Sequence, residues 1–126
     1  MKNVFHVNEL DEIPAFSPPY HSKTIDKKLV YEETGARNLA IWHGEVGPDG
    51  VAEMHVHKEM EQAFYILDGK ARFGIDGEEH RVGKGNLVFV PQNTPHQIAS
   101  VGDTALKILI IMAPPPSSME AWKKEL

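Results

Sequence analysis

From residue 28 onward, short β-rich runs alternate with glycine-bearing turns, and no stretch of helical period separates them. The runs fall at 29–31, 38–46, 51–57, 63–67, 70–75, 78–82, 87–90, 96–101 and 104–112. Gly47-Pro48-Asp49-Gly50, Gly83-Lys84-Gly85-Asn86 and Val101-Gly102-Asp103 punctuate them. Asp68-Gly69 and Asp76-Gly77 are hairpin signals, because glycine accepts the positive φ that tight primed turns require. About nine or ten short strands at such spacing predict an all-β fold, an antiparallel sandwich or barrel. Parallel βαβ units are excluded, since they need crossover helices that this chain has no room for.

The ends read differently. Residues 1–20 carry Pro14, Pro18 and Pro19 and no sustained period, so 1–27 is expected to be an extended arm, with the barrel over 28–113. Pro114-Pro115-Pro116 stops the last strand. Ser117 and Glu120 then form a capping box for a short helix within 114–126, with Met119 and Trp122 on its buried face. A chain of 126 residues fits one domain. Acidic residues outnumber basic ones by 18 to 13 for a net charge of −5, which disfavours nucleic acid as a partner. The absence of cysteine excludes disulfides, thiolate metal sites and Cys nucleophiles, and fits a reducing compartment. The N-terminal residues lack a signal-peptide apolar run, and the longest apolar stretch, 108–113, is too short to cross a bilayer. A soluble, cytoplasmic protein without membrane contact is the expectation.

The chemistry is concentrated in His55-Val56-His57-Lys58-Glu59-Met60-Glu61-Gln62. Residues two apart on a strand share a face, so His55 and His57 project together and can bind a metal through neutral imidazole nitrogen. Downstream, Gly85, Pro91, Asn93 and His96 present a third histidine after a proline-bounded loop. With these residues the chain resembles the cupin superfamily, whose motifs read G-x5-H-x-H-x(3,4)-E-x6-G and G-x5-P-x-G-x2-H-x3-N. The resemblance covers roughly residues 38–113 and implies a double-stranded β-helix, or jelly-roll barrel of RmlC-like type, around one divalent metal ion. Three positions depart from the pattern. Gly50 stands one residue too close to His55; Asn93 replaces a glycine but tolerates the left-handed conformation; Ser100 replaces the terminal Asn.

For the fourth ligand, Glu61 and Gln62 both satisfy the forward spacing. Counting back from Gly69, and strand parity with Phe64 and Ile66, favour Gln62, with Glu61 as the alternative. The resemblance implies a metal among Mn, Fe, Ni, Zn, Co and Cu, which His and oxygen ligands suit without discriminating. His43 is a weaker candidate, an acid or base if it rather than Trp42 faces inward. Arg37 and Arg72 are candidates to meet an anionic substrate at the mouth. Tyr31, Tyr65, Phe73 and Phe89 are expected in the core, and His6, His21 and His80 at the surface. The expected function is a metalloenzyme acting on a small oxygenated substrate, such as an enolisable sugar acid or related carbonyl or carboxylate. Isomerase or lyase chemistry is favoured; a dioxygenase and a non-catalytic ligand-binding module are the alternatives. A homodimer is expected, because Val4, Phe5, Leu10, Ile13 and Phe16 have no evident home in one small barrel and the resemblance implies pairing between barrels.

Overall fold

The computed structural model describes residues 2–116, and ten strands occupy most of that length. They are β1 (Ala15–Phe16), β2 (Thr24–Val30), β3 (Ala40–Val46), β4 (Val51–His55), β5 (Glu61–Asp68), β6 (Lys70–Ile75), β7 (Glu78–Gly83), β8 (Leu87–Val90), β9 (His96–Val101) and β10 (Leu106–Ala113). All pairings are antiparallel and divide into two sheets, ordered β1-β2-β3-β10-β5-β8 and β4-β9-β6-β7. The fold is the expected all-β jelly-roll. β1 and the first residues of β2 lie within 1–27 and pair into the larger sheet. The helix expected from Ser117 lies outside the described residues.

The period-2 pattern decides which side chains form the core. On β10, Leu106, Ile108, Ile110 and Met112 are buried and alternate with half-buried Lys107, Leu109 and Ile111. On β5, Gln62, Phe64 and Ile66 face in. From the opposite sheet Ala71, Phe73 and Ile98 meet them, and the Phe64 and Phe73 rings lie 5.2 Å apart. The same parity corrects two expectations. Tyr65 and Phe89 are not core residues: they sit between inward neighbours, point outward and are 40% and 55% exposed.

The turns follow their sequence chemistry. Asp76 and Gly77 both have positive φ, 49° and 84°, as the tight turn between β6 and β7 demands. Gly69 (φ 84°) joins β5 to β6 where a Cβ would stand 2.5 Å from the Ala105 carbonyl oxygen, so no other residue fits there. Part of the N-terminal apolar material finds a home in the same chain. Leu10 is buried, Phe16 meets Trp42 edge-on at 5.1 Å, and the Lys28 ammonium lies over both rings. No helix among the described residues is long and apolar enough to cross a membrane.

Candidate metal centre

His55 ends β4, His57 follows it and His96 opens β9; the β4–β9 register sets His55 directly opposite His96. The proline-bounded loop before His96 is tied down from the other side. Asn93 adopts the left-handed conformation (φ 57°) and its N–H donates to the His57 carbonyl at 2.7 Å. The substitution of Asn for glycine at this position is therefore absorbed, as its tolerance of positive φ predicts. One ring nitrogen from each of the three histidines lies within 4.8 Å of the other two, and all three residues are buried.

Hydrogen bonds fix how these rings present themselves. His55 Nδ1 donates to the Glu53 carbonyl at 2.6 Å, and His96 Nδ1 donates to the Thr94 carbonyl at 2.9 Å. A carbonyl only accepts, so Nδ1 carries the proton and each Nε2 keeps its lone pair for a ligand. His96 Nε2 is buried with no hydrogen-bond partner. Burial, reinforced by neighbouring imidazoles, pulls the pKa values of His55, His57 and His96 down to about 4. At neutral pH all three are uncharged, the form that binds metal.

Gln62 is the second residue of β5 and is only 2% exposed, while Glu61 points to solvent. Neither Gln62 Oε1 nor Nε2 has a partner among the described residues, although both are buried. Gln62 and His55 share the wall of an interior cavity whose remaining surface is mostly apolar, with Val46, Phe64, Ile98 and Ile110 prominent. An unpaired buried amide is costly in such surroundings, as is the unpartnered His96 Nε2 within the histidine cluster, and a bound cation would relieve either. The donor set of imidazoles and an amide oxygen suits a divalent transition metal.

Other candidates are placed elsewhere. Trp42 faces the core, so His43 faces the outer side of the sheet, buried under the N-terminal arm near Leu10, Lys27 and Glu45. It is not in the barrel. Arg37 is exposed, and Arg72 is exposed and 3.5 Å from Glu79. His80 is exposed near Glu78, as expected. His21 is not a plain surface residue. It bridges to Ala52, donates Nδ1–H to the Pro19 carbonyl at 2.7 Å and stands 6.0 Å, ring to ring, from His55.

Sequence reading also missed Asp26. This carboxylate lies in a run that looks solvent-facing, Ile25-Asp26-Lys27-Lys28, yet it is 2% exposed and lines the same cavity as Gln62. Its phase with buried Thr24 was the available signal.

A cupin domain matches residues 42–112, more than half the chain. The chain belongs to the cupin family. Among curated relatives, this cupin is 40% identical over 72 residues to an acireductone dioxygenase of Leptospira biflexa, covering 48% of the chain and 39% of that protein. It is 35% identical over 80 residues to the oxalate decarboxylase OxdC of Bacillus subtilis, covering 60% and 20%. An uncharacterised Methanocaldococcus jannaschii protein is 39% identical over 64 residues, 51% of either chain. The cupin thus spans about half or less of the length of these relatives. Among solved structures, the polyketide cyclase RemF of Streptomyces resistomycificus superimposes with a TM-score of 0.77 at 25% identity, covering 90% of this chain and 80% of that one. KdgF from a Halomonas species gives 0.76 at 17% identity, covering 86% and 92%, a likeness of fold.

Proposed function

We propose that this cupin holds one divalent transition-metal ion through His55, His57, His96 and Gln62, and acts as an isomerase or lyase on a small enolisable carbonyl or carboxylate compound. The carrying observation is the buried three-histidine cluster together with two buried, unpartnered donors, His96 Nε2 within the cluster and the Gln62 amide, which shares a cavity wall with His55. When bound, the ion supplies Lewis acidity toward a substrate oxygen. Gln62 leaves that charge uncompensated, where a carboxylate such as Glu61 would offset it. Mn, Fe, Co, Ni, Zn and Cu all fit the donors.

The protein's own groups shape the rest. Phe64, Ile98, Ile108 and Ile110 make the wall beside His55 and Gln62 largely apolar, and such a wall offers a hydroxyl-rich chain few partners. This favours a keto acid or diketone, with its oxygens at one end, over a heavily hydroxylated sugar acid. The cysteine-free composition fits a cytoplasmic setting. Exposed Tyr65, Leu87 and Phe89 form an apolar outer face on β5 and edge strand β8, which supports a homodimer.

Chelator-stripped protein reloaded with each of the six metals, and incubated in D2O with keto acids and diketones, tests the reading. Deuterium should enter the carbon next to the carbonyl only in the metal-loaded protein. The identity to an acireductone dioxygenase favours a second reading, oxygen insertion, which an oxygen electrode detects in the same samples. Neither exchange nor oxygen uptake with any metal contradicts both.

A further inference from the structure

β7 is the last strand of the four-stranded sheet, and among the described residues no strand lies beyond it. Strand β6 takes up only part of its backbone groups. The tight turn at Asp76-Gly77 makes Ile75 and Glu78 a hydrogen-bonded pair, so residues 78, 80 and 82 direct their N–H and C=O groups at β6. Asp76 fixes the same phase from the other side, its N–H donating to the Pro95 carbonyl at 2.9 Å on the β9 flank. The backbone groups of Glu79 and Arg81 therefore point to the open edge, while Gly83 is tied back to Asn86. The side chains there are poorly matched within one chain. Arg72 stands directly opposite Arg81, where like charges repel, and Arg81 makes no ion pair among the described residues.

We propose that β7 pairs antiparallel with β7 of a second copy of this chain, in the register that sets Glu79 opposite the partner's Arg81 and Arg81 opposite the partner's Glu79. Only residues whose backbone groups face the open edge can form hydrogen-bonded pairs there, which leaves three registers near the middle of the strand. One opposes Glu79 to the partner's Glu79 and another Arg81 to the partner's Arg81; both juxtapose like charges. The third is centred on His80 and matches opposite charges twice, because a two-fold axis repeats every contact in both directions. It also gives Arg81 a carboxylate on the side away from Arg72. An axis normal to this sheet sets the partner's β8 across the seam from β8, since β8 is a free edge of the other sheet and the short turn at 84–86 joins it to β7. The exposed Leu87 and Phe89 then flank the seam. Exposed ion pairs add little affinity, so they select the register, and the backbone ladder with its apolar flank holds the copies together.

This inference rests on the homodimer reading and names the strand on which the partner sits; the experiment separates the two. Light scattering at micromolar concentration is applied to the full-chain wild type, to Glu79→Lys, to Arg81→Glu, and to these two variants mixed in equal amounts. Hydrogen exchange of the Glu79 and Arg81 amides is followed by NMR on the wild type, a readout that needs no substitution. The wild type should be a dimer in which both amides are protected. Each single change sets like charges opposite one another twice, and dimerisation should fall roughly a hundredfold or more. In the mixture every cation of one variant again meets a carboxylate of the other, so dimers should return. A monomeric wild type removes the homodimer reading and this proposal together. A dimer that survives either single change, that the mixture fails to restore, or whose Glu79 and Arg81 amides exchange unprotected overturns this proposal alone.

Discussion

Each of the three histidines is held neutral by burial, and this makes the metal site dependent on pH in a definite direction. Their folded pKa values, near 4, lie below the ordinary 6.5. Their contribution to stability is therefore present above about pH 6.5 and is lost as pH falls toward 4, where protonation also expels metal. Asp26 runs the other way. Raised from 3.8 to about 7, it favours the fold below its ordinary value and loses that contribution as pH rises through 7. Thermal melts of metal-free wild type and Asp26→Leu should thus diverge between pH 5 and 8, the variant gaining relative stability at the alkaline end. At position 62 the charge argument predicts opposite outcomes for two changes. Gln62→Ala should weaken metal binding by roughly tenfold or more. Gln62→Glu should retain the metal and lower catalytic turnover, measurable by metal titration beside an exchange assay. The histidines were legible in sequence because His55 and His57 stand two apart and His96 follows the glycine- and proline-marked loop, together matching the two motifs of the family. Asp26 and His21 were not, because what buries them is pairing with Gly44 and Ala52, distant along the chain.

At the level of strands, turns and parity carry the fold. Gly69→Ala places a side chain against the Ala105 carbonyl at a backbone angle that L-residues resist, costing about 1–3 kcal/mol from conformation alone. Its melting temperature should drop by several degrees. Phe73, fully buried between the sheets, should cost about 3–5 kcal/mol when replaced by alanine, read from the denaturant midpoint. Strands β6, β8 and β9 were readable with both ends intact, since Gly or Pro turns bracket each of them. β2 was not. Its first residues, Thr24 to Lys28, include three consecutive charges, Asp26-Lys27-Lys28, and follow a proline-rich stretch, so only the pairing with β3 reveals a strand. The outward turn of Tyr65 and Phe89 has a related cause. Aromatic residues suit either face of a sheet, and only their inward neighbours set the phase.

For the whole molecule, the two-sheet barrel leaves two features outside its core: the N-terminal arm and the apolar outer face of β5 and β8. The arm is largely accommodated by the chain itself, through Leu10, Phe16 and the Lys27 ammonium donating to the Leu10 carbonyl at 2.8 Å. Among the described residues nothing covers the outer face, and Leu87 is 64% exposed. If it pairs with a second copy, Leu87→Lys with Phe89→Lys should convert a dimer to a monomer by light scattering at micromolar concentration. A wild type that is already monomeric contradicts the pairing. The inner end of the barrel carries the central claim, that His55, His57, His96 and Gln62 hold one metal ion. Elemental analysis of protein purified without chelator, alongside His55→Ala and His96→Ala, tests it most directly. About one transition-metal ion per chain in the wild type, and a small fraction of that in folded variants, is predicted. A metal-free wild type that takes up none on incubation, or variants that keep the full complement, would contradict it.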